Sequence, residues 1–192
     1  MNYQLFELIN QQAGRADGID DVMEFAATWL IYAAFAVGVA LVAVALNRRQ
    51  LRHVVEIAAA LALAFAAAIN LERVSREVRP FQSHHVHQLI AHRGGGSMPS
   101  DHATAAFALA FAIGVFLHRK WGAALAIVAV LIGLSRVWVG VHYPGDILAA
   151  AAIAALAVLA VKICTAWAPW PPTWSPRQPV LAPGRRFTDV QL

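Results

Sequence analysis

What most limits how this 192-residue chain can fold is a set of five apolar runs, at 25–46, 54–69, 103–117, 121–139 and 147–163. A helix that crosses a bilayer needs about 20 mostly apolar residues, with a lower limit near 17. The first and fourth runs qualify outright; the others need polar or interfacial residues at their ends to complete a span. Buried strands of an α/β core also give apolar runs, but with alternation or β-branched enrichment. These runs are dominated by Ala and Leu instead, as in EIAAALALAFAAAIN at 56–70. Helices satisfy their own backbone polar groups in lipid, and small residues let them pack closely. With 59% hydrophobic and only 14% charged residues, the chain does not have the balance of a soluble globular domain. The expected fold is an all-α integral membrane protein, a polytopic bundle of about five transmembrane helices.

Basic residues give the bundle an orientation. Arg48, Arg49 and Arg52 follow the first run, His118, Arg119 and Lys120 follow the third, and Lys162, Arg177, Arg185 and Arg186 lie at or after the end of the fifth. With five spans all three groups fall on one side, and the positive-inside rule makes that side cytoplasmic. The segment carrying Asp17, Asp20, Asp21 and Glu24, the link from Asn70 to Ser100 and the short link around Val141 then face outward, across the cell (inner) membrane. Residues 1–12, MNYQLFELINQQ, lack the basic start and long apolar stretch of a cleavable signal peptide. Leu5, Phe6, Leu8 and Ile9 suit a short N-terminal interfacial helix, or equally a packed N-terminal turn. Cys164, the single cysteine, reads as a small packing residue. One domain is expected over 1–168, followed by a Pro/Trp-rich cytoplasmic tail at 169–192, expected to be poorly ordered.

The outward links hold much of the chemistry. Arg136 is almost enclosed by apolar sequence, near the outer end of its run, and an arginine at membrane depth is a candidate functional residue. In VHYPGD, Pro144 suits the first turn of the fifth helix, which places His142 just before it and Asp146 in its first turn. A carboxylate four residues on can reach an imidazole nitrogen and fix its tautomer. Asp146 could instead serve only the helix dipole. In SMPSDH, Ser100 after Pro99 is a plausible N-cap, with Asp101 and His102 in the first turn. A helix N-terminus suits an anion such as phosphate, and a histidine there can protonate a leaving oxygen. Arg73, Arg76 and Arg79 recur at spacing three, and on a helix would share a face as an oxyanion clamp or meet lipid headgroups. Together these groups describe phosphoryl transfer without a metal or other cofactor: a nucleophilic imidazole, its carboxylate partner, a second imidazole as acid, and arginines for the developing charge.

SRVWVGVHYPGD resembles in full the third signature, Ser-Arg-x5-His-x3-Asp, of the type 2 phosphatidic acid phosphatase (PAP2) superfamily, through Ser135, Arg136, His142 and Asp146. PSDH resembles its Pro-Ser-Gly-His, with Asp101 at the glycine, and Arg79–Pro80 the end of its Lys-x6-Arg-Pro; Glu72 stands where that pattern has lysine. The PSDH and RPF variants and the small size are similar to bacterial undecaprenyl-diphosphate phosphatases of the bacitracin-resistance type. The resemblance implies that His142 attacks the terminal phosphorus, Asp146 orients it and His102 protonates the leaving group. Arg79, Ser100 and Arg136 would hold the phosphate, with Arg73 or Arg76 in the missing lysine's role. The implied substrate is a polyprenyl diphosphate within the lipid bilayer, cleaved to the monophosphate carrier through a phosphohistidine; no nucleic-acid partner is expected and no protein partner is indicated. The same motifs fit another lipid phosphate: phosphatidate, phosphatidylglycerol phosphate or a lipid A phosphate. A metal-binding transport or regulatory protein is the reading left by His84, His85, His87 and His92, which have no Cys or carboxylate among them. Asp101 is expected to pair with a nearby arginine, since a free carboxylate there would repel substrate.

Overall fold

The computed structural model describes residues 2–167. The tail expected at 169–192, and with it the expected domain limit, lies outside the described residues. Among the described residues eight α-helices follow in order: α1 (Asn2–Asn10), α2 (Asp17–Thr28), α3 (Leu30–Asn47), α4 (Leu51–Ser75), α5 (Pro80–Ser83), α6 (Asp101–Ala112), α7 (Arg119–Trp138) and α8 (Pro144–Trp167). Helices α3, α4, α7 and α8 are each long and apolar enough to cross a membrane. The fifth crossing is α6 with the π-helical turn Ile113–Leu117 that continues it. At 1.5 Å per residue this stretch reaches only about 25 Å, short of a hydrocarbon core of roughly 30 Å.

That short helix is the centre of the bundle. Nine of the twelve residues of α6 are buried, and α3, α4, α7 and α8 pack around it. Alanine dominates its sequence because four neighbours must approach closely. Where α6 turns back into α7 the two backbones touch: a Cβ on Gly122 would lie 2.1 Å from the Cα of Gly114. Cys164, by contrast, is exposed on α8 rather than packed inside.

The first apolar run is not one helix. It breaks at Trp29, so that α2 ends at Thr28 and α3 carries the span alone. The acidic residues explain the separate role of α2: Asp20 accepts hydrogen bonds from Trp138 Nε1 (2.8 Å) and from the Gly14 amide (2.9 Å), holding α2 across the end of α7. The break also leaves carbonyls at the end of α2 open to a partner, and one of them serves the site. Helix α1 is likewise more than interfacial. Leu5 and Leu8 are exposed, but Phe6 is fully buried against Val137 and Tyr143.

The link 76–100 lies pinned against one end of the bundle. Val78 bridges to Gly96, the Ser97 amide bonds to Glu77 O (2.8 Å), and the Leu89 amide to Val139 O (3.2 Å). Asn10 ties α1 in by donating to His87 O and Trp138 O and accepting from the His87 amide. The end of α4, the starts of α6 and α8 and the end of α7 meet there. The basic residues Arg48, Arg49, Arg119 and Lys162 flank the opposite helix ends.

Candidate active site

The turn between α7 and α8 is fixed before any side chain is considered. The amides of Val141 and His142 both bond to Arg136 O, winding the chain off α7. Gly140 makes this possible with φ +84, and a Cβ there would lie 2.6 Å from His87 O. Tyr143, before Pro144, is outside α8, as the steric restriction before proline predicts. Asp146 then folds back from the first turn of α8. Its Oδ2 accepts from the Tyr143 amide (2.8 Å), from Ser97 Oγ and from His142 Nδ1 (3.2 Å).

The tautomer of His142 follows from its two neighbours. A carboxylate only accepts, so Nδ1 carries the hydrogen; a guanidinium only donates, so Nε2, 2.9 Å from Arg79 Nη1, presents its lone pair. The ring is 2% exposed. Burial pushes its pKa down to about 4, helped by the charges of Arg136 and Arg79 and opposed by Asp146. His142 is therefore a neutral imidazole with a fixed lone pair, the form a nucleophile needs.

Facing it is a set of buried donors. Arg79, held extended by Pro80 and 8% exposed, donates to Val141 O and to His142 but keeps Nε without a partner. Arg136, 2% exposed, donates through Nη1 to Ala27 O at the end of α2 (3.1 Å), while its Nε and Nη2 have no partner. Ser100 occupies the N-cap position of α6 but makes no capping bond, so its buried Oγ is also free. Buried polar groups are nearly always paired. Four unpaired donor atoms beside one imidazole lone pair fit a tetrahedral oxyanion. His102 stands in the first turn of α6, close enough to both arginines for their charges to act on it. With Asp101 it also lines a mostly apolar groove of about 340 Å³ formed by Ile31, Tyr32, Phe35, Phe65 and Ala105.

His142, Asp146, His102, Arg79, Ser100 and Arg136 thus come together. Arg73 and Arg76 do not join this buried cluster. Helix α4 stops at Ser75 and Arg76 takes a left-handed conformation, so the three arginines share no helical face, and the first two are exposed. Glu72 packs against Gly96 outside the cluster. Asp101 is exposed and makes no ion pair among the described residues, contrary to expectation; its charge acts on Arg79 only from a distance. The loop histidines diverge, with His84 stacked on Tyr3 and His87 against Gly14, and no metal-holding group of His, Cys, Asp or Glu occurs among the described residues. Sequence reasoning missed Ser97, Asn10 and the buried Thr104. Ser97 and Asn10 act through partners far away in the chain, and no local motif marks them.

The model of the PAP2 superfamily matches residues 53–170. The chain is 36% identical to undecaprenyl-diphosphatase BcrC of Bacillus subtilis over 80% of its own length and 79% of that protein's. It is 35% identical to the putative undecaprenyl-diphosphatase YbjG of Escherichia coli, over 77% and 74%. Among solved structures it superposes on Aquifex aeolicus LpxE with TM-score 0.69 and 25% identity, covering 84% of this chain and 94% of that one. A PAP2-type phosphatidylglycerolphosphate phosphatase from Bacillus subtilis, at TM-score 0.65 and 20% identity over 85% and 86%, shares the fold.

Proposed function

The chain belongs to the PAP2 superfamily as a multi-pass membrane lipid phosphatase, and we propose that it removes the terminal phosphate of a long-chain prenyl diphosphate through a phosphohistidine on His142. The observation that carries this is the pair of bonds on His142: Nδ1–H to Asp146 and the Nε2 lone pair held beside the Arg79 guanidinium. In the first step Nε2 forms a bond to phosphorus and the bond to the bridging oxygen breaks. Its electrons stay with the prenyl monophosphate, which takes a proton from His102. The positive charge on the phosphorylated ring is balanced by Asp146 through Nδ1–H. Arg79 Nε, Arg136 Nε and Nη2 and Ser100 Oγ receive the phosphoryl oxygens, whose charge they stabilise more as the reaction proceeds. In the second step water attacks phosphorus, His102 takes the water's proton, and the N–P bond electrons return to Nε2.

The prenyl assignment is supported by the likeness to two relatives that are named undecaprenyl-diphosphatases and by the groove beside His102. The group that protonates the leaving oxygen lines an open, mostly apolar groove formed by α3, α4 and α6, suited to the chain attached to that oxygen. The site opens on the extracytoplasmic side in this reading, because the basic residues cluster at the other end of the bundle. The test is phosphate release from a long-chain prenyl diphosphate by detergent-purified protein with EDTA present. Activity in the wild type, none in His142→Ala, and an acid-labile phosphoprotein in a quenched wild-type reaction support the proposal. Turnover of phosphatidate but not of the prenyl diphosphate refutes the substrate, and loss of activity to EDTA refutes the metal-free mechanism.

A further inference from the structure

A third imidazole stands at this site. The ring of His92, in the pinned link, has its centroid 6.3 Å from that of His142 at an interplanar angle of 75°, and 6.5 Å from that of Phe81. Its Nδ1 lies 2.8 Å from Arg93 O. A carbonyl only accepts, so Nδ1 carries the hydrogen and Nε2 is the nitrogen left to meet a ligand. The ring is half-buried, and its place is fixed by the Leu89–Val139 and His87–Asn10 bonds on the preceding residues. Arg79, Arg136 and Asp101 lie near enough for their charges to act on it, and it acts in turn on His102. His92 thus stands beside the nucleophile.

The phosphoryl group that moves already has its donors in Arg79, Arg136 and Ser100, and the bridging oxygen has His102. A diphosphate differs from a phosphate monoester in one respect: an anionic phosphate, not a carbon, lies beyond that bridging oxygen. Nothing in the first set is assigned to it. We propose that His92 takes up a proton as the diphosphate enters and donates from Nε2–H to the phosphate that stays with the lipid, and so selects diphosphates over monoesters. This rests on His142 as nucleophile and His102 as acid.

The experiment uses the full chain in detergent. Prenyl diphosphate and prenyl monophosphate serve as substrates. Inorganic pyrophosphate and phosphate serve as competing inhibitors of whichever lipid phosphate the wild type turns over fastest. Hydrogen bonds to charged groups are strong enough that His92→Ala should lower kcat/KM for the diphosphate about tenfold or more, and for the monophosphate less than about twofold. Pyrophosphate inhibition should weaken by a similar factor with phosphate inhibition unchanged, which also shows that the site is intact. His92→Gln, which keeps a donor near the position of Nε2, should recover part of the loss. Equal losses on both substrates, or unchanged pyrophosphate inhibition, overturn the proposal. A wild type that hydrolyses only monoesters would remove the prenyl diphosphate reading while the pyrophosphate arm still decides on His92.

Discussion

The nucleophile side and the anion side of this site are built under opposite constraints. Asp146 Oδ2 accepts three hydrogen bonds, and both nitrogens of His142 have partners. Arg79 Nε, Arg136 Nε and Nη2 and Ser100 Oγ, also buried, have none. An unsatisfied buried donor costs roughly 1–3 kcal/mol. The fold therefore gives up stability on the anion side to keep donors in place, and gains it at His142 and Asp146 Oδ2, while Asp146 Oδ1 is buried without a partner. The former can act at once on developing charge because no protein partner has to be displaced; the latter cannot drift, because the turn at His142–Tyr143 and the link at Ser97 together hold one carboxylate.

The comparison breaks most severely at Asp146. In Asp146→Ala no acceptor is left to hold the hydrogen on Nδ1, and it can move to Nε2. That hydrogen would then point at the Arg79 guanidinium, and the lone pair would be lost. Loss of tautomer control of this kind costs about 10³–10⁴ in kcat. Single-turnover phosphate release measures it; a fall of less than about tenfold would show that Asp146 does not set the tautomer. The same side can be read without turnover. Burial holds His142 down to about 4, so its imidazole stays neutral as pH falls past the usual histidine range and protonates only near that lower value. In ¹⁵N-histidine NMR, the ring assigned by its loss in His142→Gln should still be neutral at pH 5. Titration near the ordinary value of about 6.5 would contradict it.

A smaller and more discriminating pair is Ser97→Ala against Ser100→Ala, the same atom removed from the two sides. Both hydroxyls are fully buried. Ser97 Oγ bonds Asp146, so its loss should lower stability by about 1 kcal/mol, a fall of roughly 2–4 °C in Tm for a chain of this size. Ser100 Oγ has no partner, so its loss should leave Tm unchanged or raise it, yet lower kcat/KM about tenfold or more through the missing oxyanion donor. Melting curves in detergent beside kinetics decide it. If both substitutions lower Tm alike, the contrast between the two sides is wrong.

How much of this was legible before the structure depended on the range of each contact. The His142–Asp146 pair is local, four residues apart with a proline fixing the helix start, and could be read directly. The five crossings were legible because Ala/Leu runs have no soluble alternative. The break at Trp29 was not, because it serves Arg136, which donates to Ala27 O from 109 residues away. The three-residue spacing of Arg73, Arg76 and Arg79 suggested one helical face, but spacing says nothing of where a helix ends, and α4 ends at Ser75. Ser97 and Asn10 were invisible for the same reason: their partners lie 49 residues away for Ser97 and 77 and 128 for Asn10.

Glu72 gives the mildest test of the anion side. It stands where the superfamily signature has a lysine, lies against Gly96, and is among the charges that act on Arg79. Its side chain is exposed, so its field is weakened by solvent and salt. Glu72→Lys replaces a repelling charge with an attracting one at the rim and leaves the buried donors as they are. KM for a prenyl diphosphate should fall about two- to threefold at low ionic strength and return to the wild-type value near 0.5 M salt, with kcat unchanged. A salt-insensitive fall of more than about tenfold would mean that the lysine reaches the phosphate directly and that Arg79, Arg136 and Ser100 do not make a complete set. No change at any ionic strength would place Glu72 beyond the reach of the substrate. The anion side would then end at Arg79, and the substrate's charge would be handled by buried groups alone.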